Sequence, residues 1–420
     1  MIYLIMTYVG VLDCNNFFVS CERLFRPDLH DKPVIVLSSN DGCVVARSQE
    51  VKDMGIPMGV PYFKVKDTIK DNSVVVFSSH FALYRDISQR VFTVMKDKLD
   101  TVEQYSVDEA FFLINDSDEV MQFASSIKDK VEQVVGIPVS IGVGRSKTLA
   151  KLANGVAKRT TGVTWFTDAG WEEERARTLL RDLWGVGRQT TVVFQKLGLH
   201  TAADFLAIDP AQLEQVFGVF GVRLRAELLG TVNLHETVIH TPQKSLMSSR
   251  SFQATTTNYE VVADAVAYHV RQAAEELRAM CMRAGHLRVS VQPSRYSDYV
   301  LQGISGEKYL EVPTNETKEL LQVTHELLKK NFQPNVPYKK AGVFFSHFVP
   351  QSFDQQPLFT DLAATTTELD VVIDKLNKEA GKPLITMGNH LKMSEWHSRS
   401  DTRSPAYTTN WSQLPRVSAN

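Results

Sequence analysis

Acidic residues set into apolar strands constrain this chain more than any other feature of its sequence. Asp13 closes the run Tyr8-Val9-Gly10-Val11-Leu12, and Asp108-Glu109 stand between Val107 and Ala110-Phe111-Phe112-Leu113. An unpaired ionised group in such a place costs several kcal/mol. Three carboxylates converging there would repel one another unless a cation neutralised them. Two Mg²⁺ ions suit hard oxygen donors in octahedral geometry, and such a pair clamps the attacking and leaving oxygens of a phosphoryl transfer. Asp13, Asp108 and Glu109 are therefore the candidate catalytic metal ligands. Successive strand residues point to opposite faces, so Asp108 and Glu109 can share a site only if the strand ends or bulges there. An exposed acidic hairpin tip is the competing arrangement.

The surrounding pattern is α+β. Strands are expected at Tyr8–Leu12, Lys32–Leu37, Val74–Phe77 and Ile137–Val143, with a strand pair across Val102–Ile114. Helical spacing predicts helices over Phe81–Leu99 and Val120–Val135. After Thr167 short helices follow, at Glu172–Leu180 and Arg188–Leu197, and continue to about Leu229. Beyond a polar linker near Pro242–Ser251 comes a second α+β unit. It has strands at Lys244–Phe252, Leu287–Pro293 and Ala341–Phe348, and helices at Tyr259–Ala284 and Thr314–Asn331. The last stretch, from about Pro350, is polar with one helix at Thr366–Ala380.

Two further constellations carry chemistry. Gly142-Val143-Gly144-Arg145-Ser146-Lys147-Thr148 is not a Walker A loop, which disfavours a P-loop nucleotidase. It leads into a helix on which Lys147, Lys151 and Lys158 fall in one narrow stripe. A solvated basic face is an equally good reading of that stripe. Leu183-Trp184-Gly185-Val186-Gly187, followed by Arg188, has the form of a hairpin between helices. Its backbone N–H groups would face a nucleic-acid phosphate without reading sequence.

At 420 residues the chain is long enough for two to four domains. Its net charge of −2 excludes a uniformly basic nucleic-acid coat, but the charge is unevenly spread. Residues 97–119 hold eight acidic groups against Lys98, whereas residues 140–200 are net basic. The four cysteines form no C-x-x-C pair, which points to a reducing, cytoplasmic compartment. No run approaches a membrane span.

Taken in order, these residues resemble the Y-family, or lesion-bypass, DNA polymerases, and within them the UmuC-type catalytic subunits. The resemblance is carried by Leu12-Asp13-Cys14-Asn15-Asn16-Phe17-Phe18-Val19-Ser20-Cys21-Glu22, Ser39-Asn40-Asp41-Gly42-Cys43-Val44-Val45-Ala46-Arg47 and Phe77-Ser78-Ser79 with Leu83-Tyr84. It continues through Tyr105-Ser106-Val107-Asp108-Glu109-Ala110-Phe111, Lys147 to Asn154, Ser249-Arg250-Ser251-Phe252, Lys340 to Val343 and Ser404-Pro405-Ala406-Tyr407-Thr408-Thr409.

The resemblance implies a right-hand polymerase. Its ferredoxin-like palm would span 1–18 and 78–166, small fingers 19–77, and a helical thumb with its helix-hairpin-helix 167–241. An α+β little finger would span 242–349, followed by a C-terminal tail over 350–420. It also implies that the Cys14 carbonyl joins the metal ligands, and that Phe18 is a steric gate excluding the ribose 2′-hydroxyl. Lys158 would bind the triphosphate. Where relatives carry a Tyr and an Arg in the fingers, this chain has Gln49 and Lys52, leaving Lys52 and Arg47 as candidate nucleotide contacts. Gly185, Gly187, Arg188, Lys244 and Arg250 would contact primer-template DNA, and Gln355, Leu358 and Phe359 a sliding clamp. The implied reaction is translesion synthesis from deoxynucleoside triphosphates, of low fidelity and part of an SOS-type damage response. Implied partners are a UmuD′-type dimer and a RecA filament. A self-sufficient DinB-type polymerase, a nucleotidyl cyclase and a non-catalytic DNA-binding scaffold are the alternatives.

Overall fold

The protein is described here as a computed structural model, covering residues 7–115, 119–232, 243–294, 302–352, 367–380, 384–387, 396 and 399–414. It divides into two compact units. One comprises Met1–Ser38, Gly42–His240 and Thr402–Asn420, the other Ser39–Asp41 and Thr241–Asp401.

In the first unit, β1 (Thr7–Cys14) leads into α1 (Phe17–Phe25), β2 (Val34–Leu37), β3 (Val44–Arg47), α2 (Gln49–Asp53), α3 (Tyr62–Asp71) and β4 (Val75–Ser78). Then come α4 (Phe81–Lys96), β5 (Val102–Gln104), β6 (Glu109–Asn115), α5 (Val120–Val135), β7 (Val139–Gly144), α6 (Lys147–Ala157) and β8 (Val163–Trp165). The main sheet has the order β5-β6-β1-β7-β8, with β1 antiparallel to both β6 and β7. β1 is covered on both faces, which is why it reads as an unbroken apolar run rather than an alternating one. A smaller sheet, β3-β2-β4, stands apart with its own core of Ile35, Leu37, Val44, Val51 and Ile69.

Helix α6 lies tightly on β1 and β7. A Cβ at Gly142 would fall on the Asn154 backbone nitrogen and the Ala150 carbonyl, so only glycine permits this approach. Ser146 caps the helix by accepting from the Leu149 N–H at 3.2 Å. Buried Asn154 donates to the Ser140 carbonyl at 2.8 Å, which tethers α6 to β7. The unit continues through α7 (Asp168–Glu174), α8 (Arg188–Lys196), α9 (Ala202–Leu206) and α10 (Pro210–Leu229), packed around Phe194, Phe205 and Leu213. The helix expected at Glu172–Leu180 instead occupies Asp168–Glu174, because the Thr167 hydroxyl caps it by accepting from Gly170 N–H.

The second unit runs β9 (Ser245–Thr256), α11 (Tyr259–Ala279), β10 (Met282–Pro293), β11 (Ile304–Thr314), α12 (Thr317–Asn331) and β12 (Tyr338–Pro350). Its antiparallel sheet has the order β11-β10-β12-β9. α11 and α12 cover one face through Val262, Val266, Val270, Leu277 and Leu320. α11 stops five residues short of the expected Ala284, since Cys281 takes a left-handed φ of 54° and β10 begins at Met282.

The expected separate tail is divided between the units. α13 (Thr367–Ala380) is bonded to α11, the Arg278 Nε donating to Asp374 at 2.7 Å and its Nη1 to Asp370 at 3.3 Å. The buried Trp396 indole donates to Asp264 at 2.8 Å in the same unit. Residues 402–414 belong to the first unit. Among the described residues no helix is long and apolar enough to cross a membrane.

Candidate active site

Strand register brings two of the three carboxylates together. Asp13 at the end of β1 is paired directly with Glu109, the first residue of β6, and with Ser140 on β7. Like charges directly opposed across a ladder are destabilising, and the chain offsets this with lysines. Lys158, at the end of α6, lies 2.7 Å from Asp13 Oδ1, and Lys151 lies 2.9 Å from Glu109 Oε2. Burial pushes the Asp13 carboxyl up to about 7, with Lys158 opposing and Glu109 adding to the shift. Burial also acts to raise Glu109, but its bond to Asp13 and the Lys151 charge outweigh that and hold it below the usual range. Of the two crowded carboxyls, Asp13 is therefore the one that is harder to ionise. A cation arriving between them would favour the ionised form of both.

Asp108 lies in the turn before β6, so strand alternation does not apply to it. Its backbone carbonyl accepts from Cys14 N–H at 2.9 Å. Its side chain is turned to Ser106, whose hydroxyl donates to Oδ1 at 2.5 Å. The Ser106 oxygen also accepts from the N–H groups of Asp108 and Glu109, at 3.1 and 3.0 Å, and so sets the turn. Among the described residues no three His, Cys, Asp or Glu side chains are gathered tightly enough to hold a metal as they stand. The expected gathering of three side chains is thus not formed: Asp13 and Glu109 are paired, and the Asp108 carboxylate is bonded to Ser106. The Cys14 thiol is buried, and burial together with the nearby carboxylates raises its pKa well above the ordinary thiol value. It stays neutral, which leaves only its carbonyl as a candidate donor.

The lysine stripe is not a solvated face. Lys147 is bonded to Glu103 at 2.6 Å, and its side chain is only 12% exposed. Lys151 sits over the rings of Tyr105, Trp184 and Phe111, at 4.5, 5.2 and 5.8 Å. These are cation–π distances for all three. Lys158 is the most open of them, at 40%. Sequence reasoning did not pick out the Glu109–Lys151–aromatic cluster. Its one visible signal was Tyr105 four residues before Glu109, with Trp184 just ahead of the glycine turn.

Phe18, in the first turn of α1, is half-buried. Its ring stacks on Tyr84 at 4.4 Å and meets Phe81 edge-on at 6.0 Å. Lys52 is exposed on α2. Its pKa is lowered by partial burial and by the charges of Arg47 and Lys158. Arg47 donates to the Ile56 carbonyl.

Gly185, Gly187 and Arg188 are exposed at the turn between the 3-10 segment Leu180–Asp182 and α8. Gly185 has a φ of +86°, and a Cβ at either glycine would meet nothing within 4 Å, so this hairpin presents bare backbone. Lys244 is exposed just ahead of β9. Arg250 is displaced from its expected place. It stands opposite buried Ala341, so it shares the helix-covered face with Leu246 and Phe252, near His269. The open face instead carries Met247, Ser249, Arg288, Ser290, Lys340 and Phe344 around a shallow cavity. Gln355, Leu358 and Phe359 lie outside the described residues.

Comparison with known proteins follows the same lines. The impB/mucB/samB family matches residues 12–155, and its C-terminal domain matches 243–358. A domain of unknown function, DUF4113, matches 367–417. Protein UmuC of Salmonella typhimurium is 35% identical over 97% of this chain and 99% of its own length. Protein SamB of Salmonella typhimurium is 32% identical over 97% and 98%. DNA polymerase IV 1 of Bacillus subtilis is 25% identical over 91% and 93%. Among solved structures, a Y-family DNA polymerase chimera of Dbh and Dpo4 aligns with a TM-score of 0.68 at 19% identity. It covers 82% of this chain and 99% of its own. An insertion ternary complex of Dbh DNA polymerase aligns with a TM-score of 0.54 at 18% identity, over the same shares. These similarities extend across both units, and the chain belongs to the impB/mucB/samB family of Y-family lesion-bypass DNA polymerases, on its UmuC-like side.

Proposed function

We propose that the corner formed by Asp13, Asp108 and Glu109 is the centre at which this polymerase joins a deoxynucleotide to a primer 3′-hydroxyl, with release of pyrophosphate. The observation that carries this reading is the direct pairing of Asp13 with Glu109 inside a buried sheet, beside Lys158. The donor set fits Mg²⁺, since it consists of hard oxygens with the Cys14 thiol held neutral. Asp13, Glu109 and the Cys14 carbonyl would hold the ions, and Asp108 would join them on releasing Ser106. Bound there, two Mg²⁺ ions would activate the primer hydroxyl and neutralise the triphosphate. Bound ions would favour the ionised form of Asp13, whose pKa burial otherwise raises.

Lys158 then turns from Asp13 towards the triphosphate, and Lys52 and Arg47 add charge on the same side. The Phe18 ring closes the sugar side against a 2′-hydroxyl. The N–H groups at Gly185 and Gly187, with Arg188, grip a DNA phosphate independently of sequence. On the second unit, Lys244 and the open-face residues Arg288 and Lys340 provide a second backbone grip. Palm, fingers, thumb and little finger correspond to the main sheet, the β3-β2-β4 sheet, the α7–α10 helices and the second unit.

The same family reading supplies a sliding clamp for Gln355, Leu358 and Phe359, a UmuD′-type dimer and a RecA filament as partners. The free thiols Cys14, Cys21, Cys43 and Cys281 support a reducing, cytoplasmic setting. Primer extension with Mg²⁺ on undamaged and lesion-bearing templates tests the reading. Synthesis past the lesion, lost in Glu109→Gln, supports it; extension unchanged in that variant contradicts it. Deleting residues 355–359 should weaken clamp retention and spare distributive synthesis. A non-catalytic scaffold would have no use for a carboxylate pair buried at such electrostatic cost.

A further inference from the structure

The stretch Ser404-Pro405-Ala406-Tyr407 has no assigned part in polymerisation, and it falls in the portion matched only by a domain of unknown function. It belongs to the first unit and packs against β4, the start of α4 and α1. Residue 403 bridges the free edge of β4 at Ser78, and the Ser78 and Thr402 hydroxyls lie 3.2 Å apart. Ser404 is buried, with its hydroxyl 3.0 Å from Nδ1 of buried His80, the residue that precedes α4. Tyr407 is buried too, and its ring stacks on Phe25 of α1 at 4.6 Å.

From this strap a continuous set of contacts leads to Phe18. The His80 carbonyl in turn accepts from the Tyr84 N–H at 3.1 Å, so Ser404, His80 and Tyr84 are linked in sequence. The Tyr84 hydroxyl donates to Glu22 Oε1 at 2.7 Å, and Tyr84 is only 1% exposed. The Tyr84 ring is the one on which Phe18 stacks, 13° from parallel. Phe18 itself is half-buried, so the core alone does not set its position. Of its aromatic neighbours, Phe81 and Tyr84 stand in the first turn of α4, the turn that Ser404 holds through His80, and the third, Phe17, precedes it on α1. A ring that discriminates one hydroxyl must be held to within about half an ångström by supporting groups.

We infer that the C-terminal strap, acting through Ser404, His80 and the first turn of α4 that carries Tyr84, positions the Phe18 ring and thereby sets how strongly this polymerase rejects ribonucleotides. Ser404, Tyr407, Glu22 and Tyr84 are positioning residues, since they act through Phe18. The inference rests on the reading of Phe18 as the sugar gate, and the test separates the two.

The measurement is the ratio of kcat/KM for a deoxynucleotide to that for its ribonucleotide, in single-nucleotide insertion by the full chain. A ratio cancels any uniform loss of active protein. Ser404→Ala and Tyr407→Ala should each lower the ratio about tenfold, the range given by loosening one close contact. Ser404→Thr, which keeps the hydroxyl, should restore it. Phe18→Ala serves as the reference and should lower the ratio further. If Phe18→Ala leaves the ratio unchanged, the gate reading fails. If Phe18→Ala lowers it while Ser404→Ala does not, the gate stands and the strap inference is overturned. Should Tyr407→Ala not fold, Ser404→Ala decides the matter alone, because it cuts the link while leaving the Tyr407 stack in place.

Discussion

The carboxylate corner of the first unit and the open sheet face of the second carry charge in opposite ways. At the corner, Asp13 and Glu109 are sunk in a sheet covered on both faces, and each is paired to its own lysine. On the open face, Arg288 and Lys340 stand among serines on an exposed surface, and Arg288 is bonded to an equally exposed Glu307 at 2.6 Å. A buried charge needs a dedicated partner and a fixed backbone, so one substitution there is costly. Exposed charges facing a polyanion act additively and are screened by salt, so no single one is decisive. On the proposed reading, chemistry is concentrated in a few residues, and grip is spread over many.

The sharpest way to break this comparison is Asp13→Asn. It should lower kcat by at least about a thousandfold, roughly 4 kcal/mol, by removing an anionic ligand where the charge of the transition state is neutralised. Primer-template affinity, measured by fluorescence anisotropy, should change little. Next in size is Gly142→Ala. The added methyl has to displace the α6 backbone from β7, which should cost about 1–3 kcal/mol of stability in a denaturant titration. Phe18→Ala should admit ribonucleotides, shifting sugar discrimination by about 10–100-fold in insertion kinetics. The smallest effect belongs to the open face. Lys340→Ala should weaken DNA binding by under about 1 kcal/mol, equally for all sequences, and reduce the salt slope by about one. A loss of chemistry from Lys340→Ala, or of binding alone from Asp13→Asn, would erase the distinction.

The same contrast governs what the sequence discloses. Asp13 and Glu109 are legible because a carboxylate ending an apolar strand is physically anomalous. The Val120–Val135 helix is legible to the residue, since its period is strong and Gly136, at a φ of 79°, stops it. Strand β11 was not anticipated: it is an edge strand whose exposed positions, such as Glu307 and Lys308, give it no clear alternation. Helix α1 was also missed, as its start at Asn16 depends on a left-handed φ of 49° rather than a side-chain cap. Arg250 is a DNA contact only by family resemblance, which does not carry strand facing, and the register of β9 against β12 puts it on the helix side. Ser106 escaped notice because its hold on Asp108 is a rotamer, which spacing does not encode. The strap at Ser404–Tyr407 has no periodicity, and its contacts with His80 and Phe25 span more than three hundred residues of chain.

The central claim is that the carboxylate corner performs nucleotidyl transfer and is separable from DNA binding. Asp108→Asn tests it most directly, in a single-turnover insertion assay with Mg²⁺ run alongside a primer-template binding titration. The account predicts that insertion is lost while the binding curve overlays that of the unaltered protein. Insertion retained at the rate of the unaltered protein would contradict it.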